Sequence, residues 1–327
     1  MLRRERLLKA FNNEEVDRPP VGFWFHFVQE EDFSKGLQNP DLLNQNLAGH
    51  QQFIEEIQPD FVKIMSDGYF FYPREEYNHI NEAKDLKNIK PLAKDHVWFK
   101  DQVKIVKTVI GYLNGTCGFY NVFSPAKSLQ LAISGEKFIE FFKEDKEAVS
   151  YALDVIAHDL INLVELIIQE AGADGIYLSV QNPKNGSLSY EEYRNYITPS
   201  EKSVLEHANK LSENNILHCC GYEGNRNNLE VWKDYQAKAV NWAMHIENVN
   251  LKEGKEFFGG KAVIGGFDNR PGKLLHAGTK QEIEEYTEKL IAQSGSKGVI
   301  LGADCTVPSD IHKDRIRWVR DKVVSMM

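Results

Sequence analysis

The sequence predicts an α/β protein folded as a single (β/α)8 TIM barrel over residues 1–327. Three observations carry that expectation. Eight short apolar runs recur along the chain, longer stretches of helical periodicity separate them, and no repeat, low-complexity tract or flexible linker divides the whole. A chain of 327 residues is long for one ordinary domain but suits a barrel. Hydrophobic residues at 42% and charged residues at 27% exclude a disordered chain.

The elements follow in order. The basic segment MLRRERLLKAF predicts a helix over 3–11 that caps the barrel. The first strand is VGFWFH (21–26), and the helix DLLNQNLAGHQQFIEEI follows it. The second strand, FVKIM (61–65), leads into an excursion over 70–100 placed partly across the barrel mouth, then the helix DQVKIVKTVIGYL. GFYNVF (118–123) is the third strand, followed by the long helical stretch KEAVSYALDVIAHDLINLVELIIQEAG. GIYLSV (175–180) is the fourth, with SYEEYRNYITPSEKSVLEHANKL behind it. NILHCC (215–220) and NRNNLEVWKDY form the fifth unit, and AVNWAM (239–244) is the sixth strand, with the short NVNLKEGKEFFGG after it. AVIGGF (262–267) with TKQEIEEYTEKLIAQSG, and GVILGA (298–303) with HKDRIRWVRDKVV, complete eight. Several helical stretches end at Gly or Asn, residues that tolerate the left-handed turn closing a helix.

The basic N-terminus lacks the uninterrupted apolar core of a signal peptide, and no segment is long and apolar enough to span a bilayer, so a cytoplasmic protein is expected. The net charge of −9 is spread along the chain with both signs interleaved, which leaves no basic footprint for nucleic acid. Four cysteines at irregular spacing do not make a secreted disulfide framework; in a reducing compartment they are thiols, core residues or metal ligands.

A barrel's working groups sit at the C-terminal ends of its strands. In the fifth run His218 and Cys220 are two residues apart and share a face, whereas Cys219 points to the other. Cys305 lies just past the eighth run, and the rim of a closed barrel brings such positions together. One imidazole and two thiolates suit zinc and leave a fourth position open, as catalytic sites do. The plainer alternative is a set of small buried thiols beside a hydrogen-bonded histidine; convergence at the strand ends favours the metal. Cys117 and Cys219 are assigned to the core. Asp67, in KIMSDG, is a rim carboxylate or a turn former before glycine. Ser179, Gln181, His245, Glu247, Asp268 and Asn269 also fall at the rim, as ligand-orienting groups or loop supports. His158, His207, His276 and His312 belong to helix surfaces or packing.

RPPVGFWFHF, IMSDG, SPAKSLQLAISG, LHCCG, GGFD and LGADCTVP resemble, in order and over nearly the full length, the uroporphyrinogen decarboxylase superfamily. The resemblance implies the same barrel. It also implies one of two chemistries: decarboxylation in heme synthesis, or zinc-dependent methyl transfer from a corrinoid to a thiol such as coenzyme M. The decarboxylase pattern carries arginines where this chain has Phe25 and Gln29, a tyrosine where it has Leu131, and a histidine where it has Ala303. A pocket without those arginines would desolvate a polycarboxylate uncompensated, at a cost of several kcal/mol per ion. The methyltransferase pattern, H-x-C-G plus a late cysteine, is matched at His218, Cys220, Gly221 and Cys305.

The resemblance therefore implies that a substrate thiol, activated as a zinc thiolate, attacks a methyl group on a methylcobamide carried by a separate corrinoid protein. Asp67, Glu247 or Asp268 would take the proton or position the acceptor. Lys127 and Arg270 are the candidates for an anionic group on the thiol. One alternative is a metal-free decarboxylase in which Asp67 stabilises a protonated pyrrole; another is a non-catalytic carrier of zinc or a tetrapyrrole. A homodimer is expected only by analogy with family decarboxylases.

Overall fold

Runs rich in valine, isoleucine and aromatic residues pair into a parallel sheet whose helices cover its outer face. The computed structural model describes residues 1–70, 72–73, 79–183, 186–221, 224 and 226–327. Among these, β1 (Phe61–Ile64), β2 (Cys117–Phe123), β3 (Gly175–Val180), β4 (Ile216–Cys219), β5 (Ala239–Trp242), β6 (Ala262–Phe267) and β7 (Val299–Ala303) form one seven-stranded sheet. Each pairs in parallel with the next in sequence. The architecture is an α/β, TIM-barrel-like fold, and these strands are the second to eighth expected runs.

The first expected strand is corrected. Residues 21–26 make only two isolated parallel bridges, Val21 with Leu301 and Phe25 with Val307. Pro19 and Pro20 bring no donors to a ladder, and the N–H of Val21 is taken by the Asp60 carboxylate at 2.8 Å instead of a strand carbonyl. The segment still links both sheet edges: Gly22 N donates to Leu301 O at 2.9 Å and Asp60 N to Val21 O at 2.8 Å. It therefore occupies the place between β7 and β1 that an eighth strand would fill.

The interior below the mouth is packed. Phe61, Phe119, Tyr177, Ile216, Ile264 and Ile300 meet Trp24 there, and Leu7, Ala10 and Phe11 of the helix Arg3–Phe11 close the floor. That helix is the expected cap. A second, larger cluster fills the layer between sheet and helices. In the helical layer, Asp41–Ile57 forms as expected. The helix expected at residue 101 begins four residues earlier, at Val97, because His96 accepts from Trp98 N and caps it. The expected stretches 146–172 and 189–211 are helical over 146–170 and 190–211, each with a π-turn. The expected helix 225–235 is reduced to a 3-10 turn, Leu229–Trp232, with Asn225 outside the described residues. After β2 the structure adds two helices the periodicity did not reveal, Pro125–Ile133 and Gly135–Glu144, capped by Ser124 and Ser134.

Of the excursion over 70–100, residues 71 and 74–78 lie outside the described set, and the described part runs mostly along the flank. Tyr151 Oη donates to Ile89 O at 3.1 Å and Leu92 N to Asp159 Oδ2 at 2.8 Å, which ties this segment to the helix Lys146–Glu165. Phe70 alone of its described residues lines the mouth cavity. Among the described residues no helix is long and apolar enough to cross a membrane.

Candidate metal centre at the barrel mouth

Strand alternation and register place the central groups. Ser179 pairs with His218 across β3 and β4, and His218 with Asn241 across β4 and β5, so these side chains form one row on the inner face. Cys220 follows β4 on the same face, held by its N–H to Val180 O at 2.8 Å. Cys305 arrives from the end of β7, where Asp304 N donates to Phe267 O at 2.9 Å. Cys219 turns the other way into the outer core, and burial pushes its thiol well up. Cys117 lies in the floor, its thiol pushed up to about 12 by burial.

His218, Cys220 and Cys305 are all buried, and their ligand atoms lie within 4.8 Å of one another. Cys220 Sγ is 3.7 Å from Cys305 Sγ, which is 3.6 Å from His218 Nε2. A tetrahedral ion bonded to sulfur at about 2.3 Å and to imidazole nitrogen at about 2.0–2.1 Å sets sulfurs about 3.8 Å apart and sulfur and nitrogen about 3.6 Å apart. The donor set and its spacing therefore fit zinc. Without a metal the two thiols share a proton unequally. Hydrogen bonding from Cys305 drives Cys220 well below the usual thiol range, and the same contact together with burial drives Cys305 up.

Asn241 fixes which nitrogen of His218 faces the sulfurs. Its Nδ2 donates to Ile264 O at 2.8 Å and Ala303 O at 3.2 Å, so its Oδ1 is left to accept from His218 Nδ1. The imidazole therefore carries its proton on Nδ1 and a lone pair on Nε2, the arrangement a metal-binding histidine needs.

A cavity of about 270 Å³ opens above the three residues. Ser179, Gln181 and Lys127 line it, with Phe70, Phe123 and Leu131 as an apolar wall. It also contains Lys63, which sequence reasoning missed. This lysine sits on the inner face of β1, 4% exposed, with Nζ 4.5 Å from the Tyr177 ring and 5.1 Å from the Trp24 ring. Burial pulls its pKa to about 8, against the opposing pull of Cys305, Cys220 and Asp67. The signal was a charged residue inside FVKIM, in phase with Phe61 and Met65.

The carboxylates singled out from sequence are not gathered at the centre. Asp67 is fully buried and outside the cavity lining, accepting from His26 Nδ1 at 2.9 Å and Phe27 N at 2.6 Å. Glu247, pushed up by burial, accepts from Asn227 N at 2.9 Å and Nδ2 at 3.0 Å. Asp268 and Arg270 pair at 2.6 Å and line a separate outer cavity of about 820 Å³. His245 Nδ1 lies 2.9 Å from Asp304 Oδ2, and Asn269, which lines the outer cavity, donates through Nδ2 to Thr306 O at 2.8 Å. His158 and His312 are exposed, and His207 and His276 half-buried; none of them lines either cavity. His26, Glu30, Phe33, Cys305 and Thr306 line both cavities, so Cys305 stands at their junction.

Residues 72–325 match the family model described as Uroporphyrinogen decarboxylase (URO-D). No curated protein matches the chain. Among solved structures, a methyltransferase from Methanosarcina mazei superposes with a TM-score of 0.76 at 15% identity, covering 100% of this chain and 99% of that one. A B12-independent methionine synthase from Shewanella sp. W3-18-1, in complex with selenomethionine, gives 0.61 at 12% identity, over 94% of this chain and 98% of that one. A β-mannanase from the blue mussel Mytilus edulis gives 0.53 at 10% identity, over 93% and 91%. At these identities the likeness is one of fold.

Proposed function

The chain belongs to the uroporphyrinogen decarboxylase family, and from that membership we propose that it is a zinc-dependent methyltransferase moving a methyl group from a corrinoid to a thiol. The observation that carries the proposal is the spacing of Cys220, Cys305 and His218 Nε2, at 3.7 and 3.6 Å. Zinc held by these three would keep a fourth position in which a thiol loses its proton near neutral pH. A methyltransferase and a methionine synthase among the similar folds agree with methyl transfer, although the second is named B12-independent.

The protein's own groups divide the remaining work. Asn241 holds the His218 ring and its tautomer. Lys63 and Lys127 face the inner cavity with positive charge, which favours an acceptor that is anionic or becomes so on binding. Phe70, Phe123 and Leu131 keep water from the sulfur. The outer cavity reaches Cys305 from the other side and is the place for the donor, a methylcobamide on a separate corrinoid protein.

Decarboxylation, the family's namesake chemistry, is the second reading. It needs Asp67 at the substrate, whereas both its oxygens are engaged by His26 and Phe27. Zinc-loaded protein with methylcobalamin and a thiol should form a methyl thioether, lost in Cys220→Ser and Cys305→Ser. Carbon dioxide released from a porphyrinogen by metal-free protein would favour the second reading instead.

A further inference from the structure

We propose that His26 is the base that takes the proton from the substrate thiol, and that Asp67 is its positioning residue. The inference rests on the proposed thiol chemistry and assigns its proton transfer to a histidine that lies within RPPVGFWFHF but was given no role there. His26 lines both cavities, as Cys305 does, so its ring borders the space into which an acceptor sulfur bound beside Cys305 would project. Asp67 accepts from His26 Nδ1 at 2.9 Å with one oxygen and from Phe27 N at 2.6 Å with the other. A fully buried carboxylate held in this way fixes the ring proton on Nδ1 and leaves the Nε2 lone pair to the cavity. The ring packs against Phe33, centroid to centroid 4.2 Å, and Phe70 at 5.5 Å, which also touch each other at 4.8 Å. Asn46 Nδ2 clamps the Asp67 loop through Met65 O at 3.0 Å and Asp67 O at 3.1 Å.

The carboxylates first considered are spoken for: Asp67 by His26, Glu247 by Asn227, Asp268 by Arg270. The charged and titratable groups around the ring are Asp67 behind it, Lys63, Lys127, His218, Cys220 and Cys305 across the inner cavity, Glu30 and Glu31 beside it, and Asp268, Arg270, Asp304 and Asp310 across the outer one. In the step, the thiol S–H bond breaks, its electron pair stays on sulfur, and a new N–H bond forms at His26 Nε2. Nothing is oxidised or reduced. The imidazolium so formed donates through Nδ1 to the Asp67 carboxylate and through Nε2 toward the new sulfur charge.

The test uses full-length protein loaded with cobalt(II), whose sulfur-to-metal absorption band reports thiol binding, and 2-mercaptoethanol as the probe. His26→Gln should take up cobalt as the wild type does and reach the same final band, but about 100-fold more slowly, the usual weight of a positioned base. In His26→Ala, added imidazole should restore part of the rate, which a packing role would not allow. Asp67→Asn should be slowed with His26 still present, and Asp67→Glu should regain most of the loss. Wild-type rates in His26→Gln, or a variant that no longer takes up cobalt, would overturn the assignment while leaving the proposed function intact. Cobalt-loaded wild type that binds no thiol would overturn both.

Discussion

His218 owes its metal-facing nitrogen to Asn241, whose amide is committed on one side to two strand carbonyls. Replacing it with leucine frees the ring to choose either tautomer. The expected result is a loss of about 10–100-fold in zinc affinity, measured by competition with a chromogenic chelator. Lys63 makes a second residue-scale prediction. If its buried ammonium faces the acceptor, wild type should bind 2-mercaptoethanesulfonate more tightly than 2-mercaptoethanol, and Lys63→Met should shrink that preference about tenfold by calorimetry. Both residues were present in the sequence as polar interruptions of apolar runs. Nothing there told whether Asn241 and Lys63 faced a cavity or merely interrupted a strand, because that depends on register with neighbours far away in the chain. His218, Cys220 and Cys305 were legible because their chemistry is specific. Asp67 was legible as a residue but not in its contacts, since only the folded segment 21–26 brings His26 against it.

At the scale of elements, His50 ties the helix Asp41–Ile57 to the end of β1. Its Nδ1 donates to Asn46 O at 2.9 Å, and its Nε2 accepts from Met65 N at 3.0 Å. A proton on Nε2 would face that N–H, and burial already holds the ring's pKa down to about 4. The unfolded chain, with an ordinary histidine near ~6.5, binds more protons than the native state between these values. Stability from this site is therefore complete above about 6.5 and falls as the pH drops toward 4, by on the order of 3 kcal/mol in all. Denaturant titrations across that range should show the slope, and His50→Gln should flatten it; an unchanged slope would assign acid sensitivity elsewhere. Apolar alternation located the strands but could not see what their N–H groups bond to. Hence 21–26 read as a strand, although Asp60 takes its first donor. The helices Pro125–Ile133 and Gly135–Glu144 escaped because they are short; their signal was a serine cap before each, with proline opening the first.

Closure is the feature of the whole molecule on which the site depends. β4 and β7 are three strands apart in the sheet, yet their ends bring Cys220 and Cys305 within 3.7 Å because the sheet curls. Asp60 holds the seam. It accepts from Arg6 at 2.8 Å, Arg18 at 2.7 Å and Val21 N at 2.8 Å, and so joins the capping helix, the closing segment and β1. Removing one partner of such a buried network leaves charges uncompensated. Asp60→Ala should cost about 3–5 kcal/mol in denaturant unfolding, and a loss under 1 kcal/mol would show that closure rests elsewhere. The curl was legible from the count of βα units; the residues that lock it were not, since Arg6, Arg18 and Asp60 lie up to 54 residues apart and meet only in the fold.

The central claim is that these thiols and this imidazole hold a metal. The direct measurement is elemental analysis of protein purified without added metal, beside Cys220→Ser, Cys305→Ser and Cys219→Ala. The account predicts one zinc per chain in the wild type and in Cys219→Ala, and none in the other two. A well-folded wild type that carries no zinc and takes up none when it is supplied would contradict it.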